Sequence, residues 1–291
     1  MKKRNIIIAM VLAMAMTTVG GATVFAADEK AEGNDYTIAY VPTTMNNPFW
    51  TAMMGGIKEE MEAKGMDVDK QLVTVDANSD QATMNNYVND LIAQQVDAII
   101  LAPMDCTAVT DKVVSIIASD NYKAGVECAE DMMSKLDKGA KIAVMNQPSG
   151  TACVQREKGF LDTAGDYFEI VSTTDTEGDT AKTMTAAEDV LTADDDLAGF
   201  FCINDMGALG CVQAAQAAGK EDLLIYGVDG NPDFMGYVAD GSATASAAQQ
   251  PSVIGQKALD AAIDTLDGKE VEHDQVVDVV LINKDNIADF D

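Results

Sequence analysis

Short apolar runs alternate with stretches of helical period along most of this chain. The apolar runs are rich in Val, Ile and Ala and have the length of strands that are buried on both faces of a parallel sheet. They predict strands at residues 37–41, 72–75, 98–102, 141–145, 170–173, 199–203, 223–228, 243–248 and 276–282.

The stretches between the runs carry apolar residues at intervals of three and four, which is typical of helices that cover a sheet. In the first of them, Met53, Ile57 and Met61 recur every four residues. Pro48 stands at its first helical position and Gly65 at its end, where these residue types are favoured. Further helices are predicted to begin at residue 80 and to span 154–167, 180–191, 206–218, 232–239 and 251–266.

Regular alternation of strands and helices over 291 residues predicts an α/β fold with parallel, doubly wound sheets. The number of strands then decides how they are grouped. A single twisted sheet of about ten strands is less favoured than two smaller sheets, so we predict two lobes.

The N-terminus has the pattern of an export signal. A basic start at residues 2–4 precedes an apolar run over 6–19 and a small-x-small cleavage site at 24–26. A membrane anchor is the alternative, but the apolar run is short and is interrupted by threonines and glycines. We therefore predict that residues 1–26 form a cleaved signal peptide and that the mature chain is periplasmic or extracellular.

The net charge and the counts of cysteine and histidine argue against several classes of function. The net charge of −29 becomes −32 when the leader, with three cationic and no acidic side chains, is removed, and such a surface repels nucleic acid. Five cysteines cannot all pair, so packed thiols are expected, with one disulfide left open. His273 is the only histidine, which argues against histidine-based catalysis and histidine-rich metal sites.

Polar side chains follow most of the predicted strands. In open α/β sheets, ligands bind where strands end and helices begin. Carboxylates, amides and a guanidinium at these positions can each bind two neighbouring hydroxyls, and the rings of Phe49 and Trp50 can pack on the C–H face of a sugar. We find no nucleophile with a base and no phosphate-binding glycine loop. The sequence therefore favours a binding protein over an enzyme, with no cofactor and no metal.

Six motifs occur in order along nearly the whole mature chain. They are Met45-Asn46-Asn47-Pro48-Phe49-Trp50, Ser119-Asp120-Asn121-Tyr122-Lys123-Ala124-Gly125, Gln155-Arg156-Glu157-Lys158-Gly159-Phe160, Asn204-Asp205-Met206-Gly207-Ala208-Leu209-Gly210, Gly227-Val228-Asp229-Gly230-Asn231-Pro232 and Gln249-Gln250-Pro251. Together they resemble the ribose-binding-protein type of periplasmic sugar-binding protein, the substrate-binding component of an ABC transporter. A sugar-responsive repressor of the same architecture would need a basic helix-turn-helix where this chain has an export signal.

The resemblance implies a periplasmic binding protein-like fold, in which two lobes joined by three crossings close on a ligand. The N-terminal lobe would comprise residues 34–119 and 250–278, and the C-terminal lobe 120–249 and 279–291. The implied function is capture of a small sugar or polyol by a monomer that delivers it to the membrane permease of an ABC importer. Nucleic acid is not an expected partner.

The resemblance also assigns the ligand contacts by position. They are Asn47, Phe49 and Trp50 in the N-terminal lobe and Arg156, Asn204, Asp229 and Gln249 in the C-terminal lobe and hinge. Most of these residues also have a purely structural interpretation. Asn47 and Asn204 can cap helices, Trp50 can pack on its lobe, Asp229 can form a turn and Arg156 can form a surface ion pair.

Two departures from the family pattern put ligand binding in question. Gly178 stands where these sugar binders usually have an aromatic residue. A strand that ends in Asp-Arg is also missing before Ser119, together with its loop, which is a gap of roughly 20 residues. The alternative function is therefore the same fold with ligand binding impaired or lost.

The run before Ser119 has two interpretations. Residues 113–118 fit one face of a helix that begins at 107, and they also fit a buried strand. Their position in the family pattern favours the strand, with at most a short helical turn at 107–112. We therefore predict an N-terminal lobe that is one strand short and less stable than its partner lobe.

Overall fold

The computed structural model describes residues 7–11, 35–103, 113–220 and 222–290, and the chain divides into two compact units. The first unit contains Met1–Ser119 and Gln250–Val277, and the second contains Asp120–Gln249 and Asp278–Asp291. The chain passes from one unit to the other three times. This division places Asp278 with the second unit, one residue from the boundary expected from the sequence.

The elements are numbered along the chain. The strands are β1 (Ile7–Val11), β2 (Ile38–Val41), β3 (Leu72–Thr74), β4 (Ala98–Leu101), β5 (Val113–Ser119), β6 (Lys141–Asn146), β7 (Glu169–Asp175), β8 (Leu197–Cys202), β9 (Leu224–Asp229), β10 (Ala245–Ala248), β11 (Asp274–Val277) and β12 (Val280–Asn283). The helices are α1 (Pro48–Ala63), α2 (Val68–Gln71), α3 (Gln81–Gln94), α4 (Asn121–Lys135), α5 (Thr151–Ala164), α6 (Thr180–Ala193), α7 (Asp205–Ala218), α8 (Pro232–Asp240) and α9 (Pro251–Leu266), and a 3-10 turn spans Ile287–Asp289.

The first unit is built on a parallel sheet with the strand order β3-β2-β4-β1-β5-β11. The residues of β2 alternate between its two faces, as a doubly covered strand requires. Ile38 and Tyr40 pack under α1 and α9, whereas Ala39 and Val41 pack under α3. The sheet core is therefore closed by helices on both sides, as the apolar pattern of its strands predicts.

The second unit has a sheet of the order β7-β6-β8-β9-β10-β12, in which only β12 runs antiparallel. Phe200 and Cys202 of β8 face α6 and α7, and Phe201 faces α4 and α5. Because β6, β8 and β9 are parallel and central, their carboxyl ends meet at one edge of the sheet. The polar residues that follow these strands are thus brought to a common edge.

The structure decides two of the sequence predictions on secondary structure. Residues 113–118 form a strand, as predicted, within Val113–Ser119. The prediction of one strand over 276–282 is wrong, because the chain passes between the units there and forms β11 in the first sheet and β12 in the second. The expected turn at 107–112 lies outside the described residues.

The apolar pattern of the sequence does not predict α4. Its buried face is made of small residues, including Ala124, Gly125 and Ala129, together with Cys128 and Met132. Small side chains give a weak periodic signal, although they allow close packing of helices. This helix contributes to the candidate site, because its residue Asn121 accepts a hydrogen bond from Arg156.

Among the residues described after position 34, five strands join the sheet of the first unit, one fewer than the described strands in the sheet of the second unit. The sixth position, between β4 and β5, is occupied by β1. Its residues belong to the apolar run that the sequence analysis assigns to a cleaved leader. The lobe is thus one strand short only when β1 is removed.

The cysteines in the described ranges are free thiols. Cys128, Cys202 and Cys211 are buried and Cys153 is half-buried, which agrees with packed thiols in the core. The sulfurs of Cys202 and Cys211 lie 3.5 Å apart, and burial raises the pKa of Cys211. These three buried thiols all belong to the second unit.

Candidate functional site

The second unit brings three of the sequence-predicted site residues into one hydrogen-bonded group. Arg156 lies on α5, Asp229 ends β9, and Gln249 follows β10. Their connection runs through one carboxylate oxygen: Asp229 Oδ1 accepts from Arg156 Nη1 at 3.1 Å and from Gln249 Nε2 at 2.6 Å. The group lies at the carboxyl edge of the sheet, where α/β proteins hold their ligands.

The packing of α4 against α5 determines where Arg156 lies. The two helices touch backbone to backbone at two glycines. A Cβ on Gly125 would lie 2.0 Å from the Arg156 carbonyl oxygen, and a Cβ on Gly159 would lie 2.0 Å from the Tyr122 carbonyl oxygen. No side chain fits in either place. The close approach also brings Asn121, in the first turn of α4, within reach of the Arg156 guanidinium.

The Arg156 guanidinium is buried and held from three directions. Its Nε donates to Asn121 Oδ1 at 2.9 Å, and its Nη1 donates to the Ile203 carbonyl at 2.8 Å as well as to Asp229. Arg156 is 5% exposed, so the sequence alternative of a surface ion pair is wrong. Three partners on separate elements fix the plane of the guanidinium, which pre-organises it for directional hydrogen bonding.

Asp229 sits in an unusual backbone conformation. Its φ is +141° and that of Gly230 is +80°, so the chain turns sharply where β9 ends. Non-glycine residues adopt positive φ values rarely, and such strain clusters at functional sites. Burial raises the pKa of the Asp229 carboxyl, while Arg156 and Gln249 act in the opposite direction and favour the ionised form. The sharp turn is thus stabilised by the charge pair that the carboxylate forms.

A second carboxylate, Asp205, lies fully buried behind this turn. It accepts from the Ser246 hydroxyl at 2.7 Å and from the Asn231 backbone N–H at 2.6 Å. Burial, reinforced by the nearby charge of Asp229, raises the pKa of Asp205 to about 7. Asp205 therefore ties α7, β10 and the turn after β9 together. Asp205 belongs to one of the six family motifs but is not among the ligand contacts that the resemblance assigns.

The raised pKa of Asp205 predicts a pH-dependent stability. Its pKa in the folded chain lies above the ordinary value of 3.8, so the folded chain binds more protons between these two values. Its stabilising contribution is complete below pH 3.8 and is lost as the pH rises through about 7. We expect the free energy of unfolding, measured by urea denaturation from about pH 5 to about pH 8, to fall more steeply for the native chain than for Asp205→Asn. Parallel pH profiles would contradict this.

Both polar atoms of the Asn204 side chain form hydrogen bonds within the second unit. Its Oδ1 accepts from the Gly207 N–H at 2.8 Å and caps α7, and its Nδ2 donates to the Gly178 carbonyl at 3.2 Å. The helix-cap interpretation therefore holds. A Cβ on Gly178 would lie 2.4 Å from Asn204 Nδ2 and 3.0 Å from Gln147 Oε1. The place of the family's aromatic residue is thus taken by the carboxamides of Asn204 and Gln147.

Three buried polar atoms at this edge of the second sheet have no hydrogen-bond partner among the described residues. They are Asn146 Oδ1, at the end of β6, Thr176 Oγ1, just after β7, and Asn231 Nδ2, in the turn after β9. The other end of Asn146 donates to both oxygens of Glu157. Buried polar atoms are nearly always paired, so these three mark places for ordered water or a ligand hydroxyl.

The remaining three predicted residues lie in the first unit. Asn47 caps α1 by accepting from the Phe49 N–H at 2.9 Å, so its capping interpretation also holds. The rings of Phe49 and Trp50 meet edge to face with centroids 4.8 Å apart. Both rings are half-buried against the core of the first unit, and the Trp50 carbonyl accepts from the Tyr40 hydroxyl. Each ring is therefore partly exposed, close to the Asn47 side chain that caps α1.

Within the described ranges, no three or more His, Cys, Asp and Glu side chains are grouped as a metal site would require. None of the helices described is both long and apolar enough to span a bilayer. The polar group around Asp229 is therefore the site that the described residues support best.

The sequence matches the periplasmic binding protein domain family in two segments, residues 38–114 and 108–270. The segments meet at the connection between β4 and β5. This is the place where the resemblance in the sequence indicated a missing strand.

Curated relatives and a solved structure agree with this match. The ribose import binding protein RbsB of Bacillus subtilis is 34% identical over 261 residues, which cover 82% of this chain and 84% of that protein. RbsB of Escherichia coli is 31% identical over 272 residues, which cover 85% of this chain and 90% of that protein. An ABC transporter solute-binding protein from Bacillus halodurans with bound myo-inositol has a TM-score of 0.81 at 22% identity, over 90% of this chain and 99% of that one. The predicted resemblance and α/β fold class are confirmed.

Proposed function

We propose that this chain, which belongs to the periplasmic binding protein domain family, captures a small sugar or polyol outside the cytoplasm and delivers it to an ABC-type importer. The two units would close on the ligand by bending at the three chain crossings. We also propose export by a cleaved leader, action as a monomer and docking on a membrane permease. Ribose is the first candidate ligand, because the relatives from Bacillus subtilis and Escherichia coli are ribose import binding proteins.

The observation that carries the proposal is the buried group of Arg156, Asp229 and Gln249. A carboxylate accepts hydrogen bonds from sugar hydroxyls, and a guanidinium donates to them. The contacts of Arg156 described above use Nε and Nη1, so we assign Nη2 to a ligand hydroxyl. Because these groups are already fixed by one another, little conformational entropy is lost when a ligand binds.

The first unit would supply the apolar side of the site. Phe49 and Trp50 are the two aromatic residues that the resemblance assigns to the ligand, and an aromatic face suits the C–H face of a sugar ring. The second unit has the small residue Gly178 with two carboxamides where an aromatic ring is usual. We therefore propose that stacking comes from the first unit alone, with more polar recognition in the second.

A second candidate function is the same fold with impaired ligand binding. The position between β4 and β5 corresponds to the missing strand that ends in Asp-Arg. In this structure it is filled by β1, whose last residue is Val11 and which carries no charged side chain. The first unit thus presents neither a carboxylate nor a guanidinium at the end of this strand. Affinity would then depend on the second unit.

Calorimetry with ribose, other pentoses, hexoses and polyols tests the proposal. We expect saturable binding of at least one of these ligands. Asp229→Asn should weaken it about ten- to a hundredfold, because a hydrogen bond to a charged group is worth about 1.5–3 kcal/mol. Asp233→Asn is the matched control, since Asp233 is exposed on α8 only four residues away. Equal affinities for the two variants would refute the assigned site, and a failure of every ligand would favour the second candidate function.

A further inference from the structure

A further polar side chain, that of Gln147, lies at the same sheet edge as the group around Asp229. Gln147 directly follows β6, whereas Asp229 ends β9 and Gln249 follows β10. The strand order of the sheet places β8 between β6 and β9. Neighbouring strands lie about 4.8 Å apart, so the ends of β6 and β9 are separated by about 10 Å. Gln147 is therefore placed to contact a different part of a bound molecule from the part that Asp229 contacts.

The Gln147 side chain is connected to the Asp229 group through α5. Its Oε1 accepts from the Cys153 thiol at a sulfur–oxygen distance of 3.5 Å, and Cys153 lies one helical turn before Arg156. Burial raises the pKa of the Cys153 thiol, and the charges of Arg156 and Asp229 act on it in opposite directions. The thiol that contacts Gln147 thus also lies close to the buried ion pair.

The turn after β7 brings a second carboxamide, that of Asn204, next to Gln147. Gly178 in this turn has a φ of +63°, and a Cβ there would lie 2.4 Å from Asn204 Nδ2 and 3.0 Å from Gln147 Oε1. The two carboxamides therefore fill the space beside a residue that has no room for a side chain. Asn204 is committed to the fold, because its Oδ1 caps α7 and its Nδ2 donates to the Gly178 carbonyl.

Gln147, in contrast, keeps hydrogen-bonding capacity that the described part of the chain does not use. The side chain is half-buried, and its Nε2 has two N–H donors that form no hydrogen bond within that part. Two of the buried atoms without a described partner, Asn146 Oδ1 and Thr176 Oγ1, lie nearby. Asn146 directly precedes Gln147, and its carbonyl accepts from the Thr176 N–H at 3.0 Å. Buried polar groups are nearly always paired, so this end of the sheet edge suits a polar group of a ligand.

We propose that Gln147 is a specificity-determining residue, which donates from Nε2 to a ligand hydroxyl other than the one that Asp229 binds. This inference rests on the proposed function and states what the second unit selects. An analogue without that hydroxyl would leave the amide donors dehydrated and unpaired, which is unfavourable. The second unit therefore selects a sugar or polyol that carries hydroxyls both near β9 and near β6.

Calorimetry with deoxy analogues tests this assignment. The probes are D-ribose, myo-inositol and any further panel ligand that binds, each with its monodeoxy analogues. The native chain should prefer a parent ligand over one of its analogues by about tenfold or more, and Gln147→Met should abolish that preference alone. Methionine is also unbranched and flexible, but its side chain cannot donate a hydrogen bond. Asp229→Asn should instead reduce the preference over a different analogue.

Two further variants control this experiment. Gln213→Met makes the same substitution at an exposed position of α7 and should leave every preference unchanged. Gln147→Leu should behave as Gln147→Met does, and circular dichroism checks that both are folded. If both Gln147 variants keep all the native preferences, or lose the same preference as Asp229→Asn, the assignment of Gln147 is wrong while the proposed function stands. If the native chain binds no ligand of the panel, the proposed function fails and this inference fails with it.

Discussion

Gly159→Ala is expected to destabilise the second unit by about 3 kcal/mol and to weaken ligand binding. Alanine in place of glycine normally stabilises a helix interior by about 1 kcal/mol. Here the added Cβ would lie 2.0 Å from the Tyr122 carbonyl oxygen, so α4 and α5 must separate. Overpacking of this kind costs about 1–3 kcal/mol, and a backbone contact cannot relax by a side-chain rotation. Urea denaturation followed by circular dichroism measures the change.

Gly236→Ala provides the control for this expectation in the same unit. Gly236 lies in α8, and no atom lies within 4 Å of the place where its Cβ would be. The usual helix preference should then decide the sign, and this variant should be as stable as the native chain or more stable. If both variants change stability in the same direction, the backbone contact between α4 and α5 is not the cause.

The second large effect is expected from Arg156→Ala. The variant leaves Asp229 buried beside a cavity and without its cation, and breaking a buried ion pair costs about 3–5 kcal/mol. Ligand binding should also fall below detection, because the carboxylate loses its orientation. Thermal and urea denaturation measure the first effect, and calorimetry measures the second.

Two further variants make this expectation specific to the ion pair. Lys158→Ala, on the exposed side of the same helix, removes a surface ion pair with Asp162 and a cation–π contact with the Tyr122 ring, and should lower the stability far less than Arg156→Ala. The double variant Arg156→Ala with Asp229→Ala should cost clearly less than the sum of the single variants, because neither charge is then left alone. Strict additivity would show that the two side chains are not coupled.

The fold could be predicted largely because its signals are local. Buried parallel strands such as β4 are apolar throughout, and helices such as α1 begin at proline and end near glycine, so both can be recognised without tertiary information. The 113–118 run needed more than periodicity, since a helix face and a buried strand use the same residues there. The match to a family pattern decided it. The split of 276–282 into β11 and β12 could not be foreseen, because nothing local marks the passage between the units.

The candidate site could be predicted only in part, for a related physical reason. Arg156, Asp229 and Gln249 follow strands or lie in early helical turns, which is a position that can be read from the sequence. Asn121 and Asp205 act through contacts across the chain: Asn121 reaches Arg156 only because two glycines let α4 and α5 touch, and Asp205 reaches Ser246 on another strand. Neither contact leaves a local signal.

The buried thiols of the second unit give this protein a built-in chemical reporter. Cys128, Cys202 and Cys211 have no exposed surface, and burial raises the pKa of Cys128 and of Cys211, so alkylating reagents cannot reach a reactive thiolate in the folded state. Cys202 and Cys211 lie between one face of the second sheet and its helices, and Cys128 lies between the other face and its helices. Their rate of alkylation therefore counts openings of the second unit alone, once Cys106 has been replaced by serine and Cys153 by alanine. A ligand that stabilises this unit would slow that reaction, so binding could be measured by mass without labelling either the protein or the sugar.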